Sequence, residues 1–176
     1  MPDATDPRYP IGKIDLPVRA TPATRAKAIA AISALPNQLH DAVRGFTADQ
    51  LDTPYRAGGW RVRQVVHHIA DSHVNAYVRH KLTITEVDPP VKAYDENAWA
   101  NLVDAVGPIG NSLLLVQAIH DRWATCLRSL PEAAFARTCV HSANGKMTLD
   151  DLVALYAWHG AHHVAHITTL RAAKGW

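Results

Sequence analysis

Hydrophobic positions recur at three- and four-residue steps in four long stretches of the chain, and alternation at every second residue is almost absent. The first stretch, Ala23 to about Phe46, is alanine-rich and follows Thr21-Pro22, a capping residue with proline at the first helical position. Pro36 lies inside it and predicts a kink or break near Leu35. A polar loop, LDTPYRAGGW, leads to a second helix over about Arg61 to Thr85, which Pro89-Pro90 closes. A short helical piece around Asp95–Val103 and the turn GPIGN follow. Asn111 or Ser112 is placed to cap a third long helix through Leu130, with Val116, Ile119, Trp123, Leu127 and Leu130 as its buried face. Residues 136–147 read as irregular, with Asn144-Gly145 signalling a small hairpin. Thr148 then caps the last helix, with Asp151 giving the aspartate form of a capping box.

The first 22 residues hold five of the eleven prolines, so they are expected to run as an extended arm over the surface. Four long helices with no internal repeat predict an all-α four-helix bundle. It forms one domain over residues 1–176, with the arm over 1–21 and at most a small hairpin before the last helix. The long connection between the second and third helices permits a crossover, so simple up-down order is not dictated.

Composition narrows the class without changing that picture. Hydrophobic residues make up 48%, no apolar run approaches the roughly 18 residues of a bilayer span, and no secretory h-region opens the chain. A net charge of +2 on scattered lysines and arginines gives no nucleic-acid footprint. Cys126 and Cys139 form neither a CxxC pair nor a disulfide framework and read as reduced thiols. The expectation is a soluble cytoplasmic domain with no nucleic-acid or membrane partner.

The candidate chemistry lies in WHGAHHVAH, residues 158–166. With Leu152, Leu155, Tyr156, Ile167 and Leu170 as the inward stripe, His159 and His163 fall about 20° either side of its centre. His166 lies about 40° off and His162 about 80° off, near the edge. Two unpaired imidazoles in a core face would each cost roughly 1–3 kcal/mol, a cost that shared metal ligation removes. A zinc site needs a third ligand. The second helix offers His67, His68, His73 and His80; its stripe through Val62, Val66, Ile69 and Ala76 contains His73 and His80 but not His67 or His68. Periodicity therefore favours His73, without settling the choice. His120 reads as a core-margin residue, and His40 and His141 as surface residues.

Four blocks in order, YPIG (Tyr9–Gly12), LDTPYRAGGW (Leu51–Trp60), VRQVVHHIADSH (Val62–His73) and YAWHGAHHVAHI (Tyr156–Ile167), resemble the YfiT-like branch of the DinB superfamily over nearly the whole chain. The resemblance implies a four-helix bundle carrying a divalent metal on three histidines. Its first ligand is the histidine two residues before the Ala-Asp of the HHxAD block, which is His68 here; the other two match His159 and His163. Arg61 follows Trp60 where many relatives have Ser or Thr, which leaves the start of the second helix less defined. Zinc is the expected ion, with nickel as the alternative. Asp71, one turn from His67 and His68, is a candidate to orient a ligand ring, and His162 and His166 are candidate acids, bases or donors beside the site.

The resemblance implies two chemistries at the open metal position. One transfers a low-molecular-weight thiol such as bacillithiol to an electrophilic small molecule; the other is hydrolysis by a water activated on the metal. Thiol transfer is preferred because the sequence shows no carboxylate at the general-base position of HExxH enzymes. The alternatives are a non-catalytic metal- or ligand-binding module and a purely structural histidine cluster. A homodimer is expected from the unpartnered arm, from Val74 and Val78 on a second apolar side of the second helix, and from the dimers common among the relatives.

Overall fold

The computed structural model of the chain describes residues 6–176, so the opening of the predicted arm, Met1 to Thr5, lies outside the described residues. The first helix, α1 (Pro22–Val43), starts on a capping box between Thr21 and Thr24. It runs through Pro36 without a break, because Leu35, Leu39 and Ala42 on either side are buried in the bundle. Proline still leaves its mark there. Pro36 has no N–H to give to the carbonyl four residues back, so Ile32 O is released from the helical ladder. The loop predicted after α1 contains a single turn of helix, α2 (Ala48–Leu51).

Helix α3 (Val62–Thr85) keeps its predicted length, with Arg61 in the N-cap position and Gln64 bonding back to the Arg61 N–H at 3.0 Å. A two-residue strand β1 (Pro90–Val91) and a short helix α4 (Glu96–Ala100) follow. Helix α5 (Gly110–Arg128) begins before the caps expected for it: Ile109 is its N-cap residue and makes no side-chain cap. Asn111 and Ser112 are inside the helix, and the Ser112 hydroxyl is used by His67 instead, at 2.8 Å. The expected hairpin is present as β2 (Thr138–His141) and β3 (Gly145–Thr148), and β1 extends it by pairing parallel to β2. The last helix, α6 (Leu149–Lys174), starts on the Thr148–Asp151 capping box. No helix among the described residues is long and apolar enough to cross a membrane.

The four long helices form a bundle in which α1 packs on α5 and α6, and α3 packs on the same two. The consecutive helices α1 and α3 therefore stand on a diagonal, so the order is not a simple up-down ring. The core is split into two apolar clusters. One takes Ile29 and Ile32 of α1, Ala76 of α3, Trp123 and Leu127 of α5, and Leu152 and Tyr156 of α6. The other takes Leu35 and Leu39, Val66 and Ile69, Val116, and Ile167 and Leu170 from the same helices. On α3, α5 and α6 the residues between the two clusters include His73, His120 and the His159–His163 pair. A polar layer thus crosses the bundle at one level between two hydrophobic ones. Gly160 belongs to that level: a Cβ there would meet Leu35 Cδ2 at 2.6 Å, so glycine allows α1 and α6 to approach.

The arm finds its partners on its own chain. Asp151 accepts from the Val18 N–H at 2.8 Å, Trp158 Nε1 donates to the Gly12 carbonyl at 3.2 Å, and the Arg8 carbonyl lies 3.2 Å from His166 Nε2. A partner chain is not required to satisfy it.

Candidate metal centre

Helix α3 contributes His68, and α6 contributes His159 and His163, one helical turn apart. One ring nitrogen from each of the three lies within 4.8 Å of the others. His68 Nε2 and His159 Nε2 are 3.2 Å apart. With zinc–nitrogen bonds of about 2.0–2.1 Å, tetrahedral ligand atoms stand about 3.3–3.4 Å apart, so this spacing fits a shared ion. Burial keeps the rings neutral, with a lone pair to offer: it lowers the His68 pKa to about 4 and drives His159 and His163 well below the ordinary value, neighbouring imidazoles adding to the effect. The donor set and its spacing fit a divalent ion.

His73, which periodicity favours, has another place. It is fully buried, with Nε2 3.0 Å from His159 Nδ1 and Nδ1 2.8 Å from His120 Nε2. His120 Nδ1 in turn donates to the Ile32 carbonyl at 2.6 Å. A carbonyl only accepts, so the direction of the whole series is fixed. His120 carries its proton on Nδ1 and accepts from His73 Nδ1–H. His73 then accepts at Nε2 from His159 Nδ1–H. The His159 lone pair is left on Nε2, the nitrogen that faces His68. Outer partners of this kind set the tautomer and orientation of a ligating ring. His120 is thus a central member of the polar layer, not a residue at the core margin.

The other sequence-predicted residues separate. His162 stacks on Trp158 with ring centroids 4.5 Å apart, and burial lowers its pKa to about 4. His166 stacks on Tyr55 at 4.1 Å, and burial lowers its pKa too. Both line a pocket of about 390 Å³ together with His159, His163, Tyr9 and Trp60. Asp71 lines neither this pocket nor the second cavity described below, and its side chain makes no hydrogen bond among the described residues. Burial and the nearby Asp104 raise its pKa, against His67. The group beside His68 Nδ1 is the Tyr94 hydroxyl, at 3.5 Å. His67 turns away to Ser112 and the Gly107 carbonyl. His40 is exposed as expected, whereas His141 is buried, because β2 pairs on both sides and turns it inward.

One ionisable residue of the pocket wall was absent from the sequence reading. Glu96, in the first turn of α4, lines the pocket with His159, and burial raises its pKa against the pull of Arg79. Its carboxylate makes no ion pair within 4.0 Å among the described residues. Periodicity could not flag it, since it stands on a five-residue helix far from the histidines in sequence.

The family model of the DinB superfamily matches residues 20–167. A protein of Bacillus mycoides named "Putative metal-dependent hydrolase" is 46% identical over 171 residues, spanning 97% of this chain and 99% of its own. One of Oceanobacillus iheyensis with the same name is 46% identical over 169 residues, spanning 96% and 98%. Among solved structures, YfiT from Bacillus subtilis superposes with a TM-score of 0.93 at 44% identity, covering 97% of this chain and 98% of that one. It is described as "a probable metal-dependent hydrolase with an unusual four-helix bundle topology".

Proposed function

The chain belongs to the DinB superfamily, and from its pocket we propose a divalent-metal-dependent enzyme acting on small molecules, with the ion held by His68, His159 and His163. The observation that carries this is the convergence of three neutral imidazoles on one point, two of them, His159 and His163, lining a pocket. Zinc is the ion best suited to three histidines, and nickel the alternative. When bound, such an ion supplies Lewis acidity, polarising a carbonyl and easing loss of the nucleophile's proton.

Hydrolysis is the first reading. Glu96 removes the reason for preferring thiol transfer, since a carboxylate with a raised pKa now faces the same space as His159. Glu96 would take the proton of the attacking water. Trp60, Trp158 and Tyr55 would enclose the substrate and exclude bulk water, while His162 would donate to leaving-group oxygens; His166, whose Nε2–H faces the Arg8 carbonyl at 3.2 Å, would hold the arm at the pocket. Thiol transfer is the second reading. It is favoured by the absence of any hydrogen bond holding the Glu96 carboxylate among the described residues, because a bound thiol, once deprotonated, needs no positioned base.

The test is metal content by mass spectrometry on untagged protein, followed by ester or amide turnover with and without added thiol. We expect about one divalent ion per chain, lost in His68→Ala and His163→Ala but kept in His40→Ala. Turnover without thiol supports hydrolysis; consumption of an electrophile only when thiol is present supports transfer. A protein that takes up no zinc or nickel overturns both.

We further propose a cytoplasmic homodimer seated on α3, where Val78 is 49% exposed beside the partly buried Val74. Light scattering that gives a dimer mass for the native chain and a monomer mass for Val78→Lys would support it.

A further inference from the structure

Two arginines are buried in this fold and are treated in opposite ways. Arg25, 9% exposed, is gripped by Asp150 at 2.6 and 2.7 Å and by Glu132 at 2.7 Å. Arg79, 6% exposed, has no carboxylate within 4.0 Å among the described residues. Its Nη1 donates to the Tyr156 hydroxyl and its Nη2 to the Lys92 carbonyl, two neutral acceptors for a group with five N–H donors. Arginine is almost never buried unless paired, because an uncompensated charge in the interior is costly.

Arg79 opens on a cavity of about 190 Å³ that it shares with Ser72, Tyr94, His141, Asn144 and Glu96. His141 Nδ1 accepts from the backbone N–H groups of Ala143 and Asn144 at 3.2 and 3.3 Å, so its proton is on Nε2. The lining is therefore rich in donors. Its single carboxylate among the described residues, Glu96, is not paired with the guanidinium. His159 and Glu96 belong to this cavity and to the larger pocket alike, so the two spaces adjoin at the histidine centre.

We propose that this cavity is an anion subsite in which Arg79 holds a carboxylate of the substrate, while the bond to be changed lies over His159 and His163. The substrate class is then a small molecule with a carboxylate next to its reactive group. The assignment to a substrate rests on the functional reading above, but binding of the carboxylate itself needs no metal.

Acetate and its neutral counterpart acetamide are the probes. Each is titrated into ¹⁵N-labelled whole protein while the Arg79 Nε–H signal, identified by its loss in Arg79→Lys, is followed by NMR. Acetate should move that signal saturably and acetamide should not. The same response should appear in His163→Ala. In Arg79→Gln, acetate should bind about tenfold to a hundredfold more weakly, read from the Asn144 amide. The proposal is overturned if acetamide acts like acetate, if acetate leaves the signal unmoved, or if the effect vanishes in His163→Ala, which would put acetate on the metal. The probe comparison in the native chain stands even where Arg79→Gln fails to fold. A protein that binds acetate at Arg79 yet takes up no metal would retain the subsite and lose the catalytic reading.

Discussion

His120 Nδ1 donates to the carbonyl oxygen of Ile32 across 2.6 Å, and that carbonyl is free because Pro36, four residues on, has no N–H to offer it. A proline that looks like a defect in α1 supplies the fixed end of a histidine series running through His73 to His159.

If that series sets the His159 tautomer, its far end controls metal affinity without touching the ion. His120→Leu should weaken zinc binding by roughly tenfold to a hundredfold in a chelator competition, with His120→Gln, which can still accept and donate, close to the native value. Pro36→Ala returns a rival donor to Ile32. It should weaken binding by less than about tenfold, since a carbonyl has a second lone pair. Equal affinity in native protein and His120→Leu would remove the positioning role.

Glu96→Gln separates the two chemistries. Metal content should be unchanged, because Glu96 is outside the three-histidine set. Thiol-independent ester turnover should fall by about 10² to 10⁴, the usual weight of a general base. Thiol transfer should be nearly unaffected.

His80 predicts a pH dependence of stability. It is fully buried, donates from Nδ1 to the Ala76 carbonyl at 2.8 Å, and leaves Nε2 without a partner among the described residues; burial holds its pKa near 4. The unfolded chain, with an ordinary imidazole, binds the proton first, so this contribution is complete above about pH 6.5 and is lost as pH falls towards 4. In urea titrations of metal-free protein, His80→Leu should lose about 2 kcal/mol less than the native chain between about pH 7.5 and about pH 5. Parallel losses would show that His80 is not buried neutral.

Gly160→Ala tests the contact of α1 with α6. The added methyl meets Leu35, which is buried in the second apolar cluster, so overpacking of about 1–3 kcal/mol outweighs the helix gain of about 1 kcal/mol from removing glycine. Leu35→Ala in the same chain makes room for that methyl. The double variant should therefore lose less in thermal unfolding than the two single changes summed.

Local order was written plainly in the sequence. Thr21, Thr148 and the Asn144-Gly145 turn act through neighbours a few residues away, and the structure uses each as predicted. The α5 start departs from its expected caps because Ser112 bonds His67, a partner 45 residues away that no local pattern reveals. The His159–His163 pair was legible from its spacing on one helix. The choice between His68 and His73 was not: both are buried on α3, and only the position of α6 decides which of them meets His159 at Nε2 and which at Nδ1. Glu96 and Arg79 were invisible for the same reason. They share a cavity that exists only once α3, α4 and α6 are assembled.

The arm has a further consequence for how the protein is made. Arg8 and Tyr9 line one side of the pocket, and Trp158 to His166 line another. Synthesis delivers these two walls almost a whole chain apart in time. A nascent chain stalled before α6 has neither the His159–His163 pair nor the Asp151, Trp158 and His166 groups that the arm bonds. With the ion held as proposed, its capture waits for α6 and falls among the last events of biogenesis.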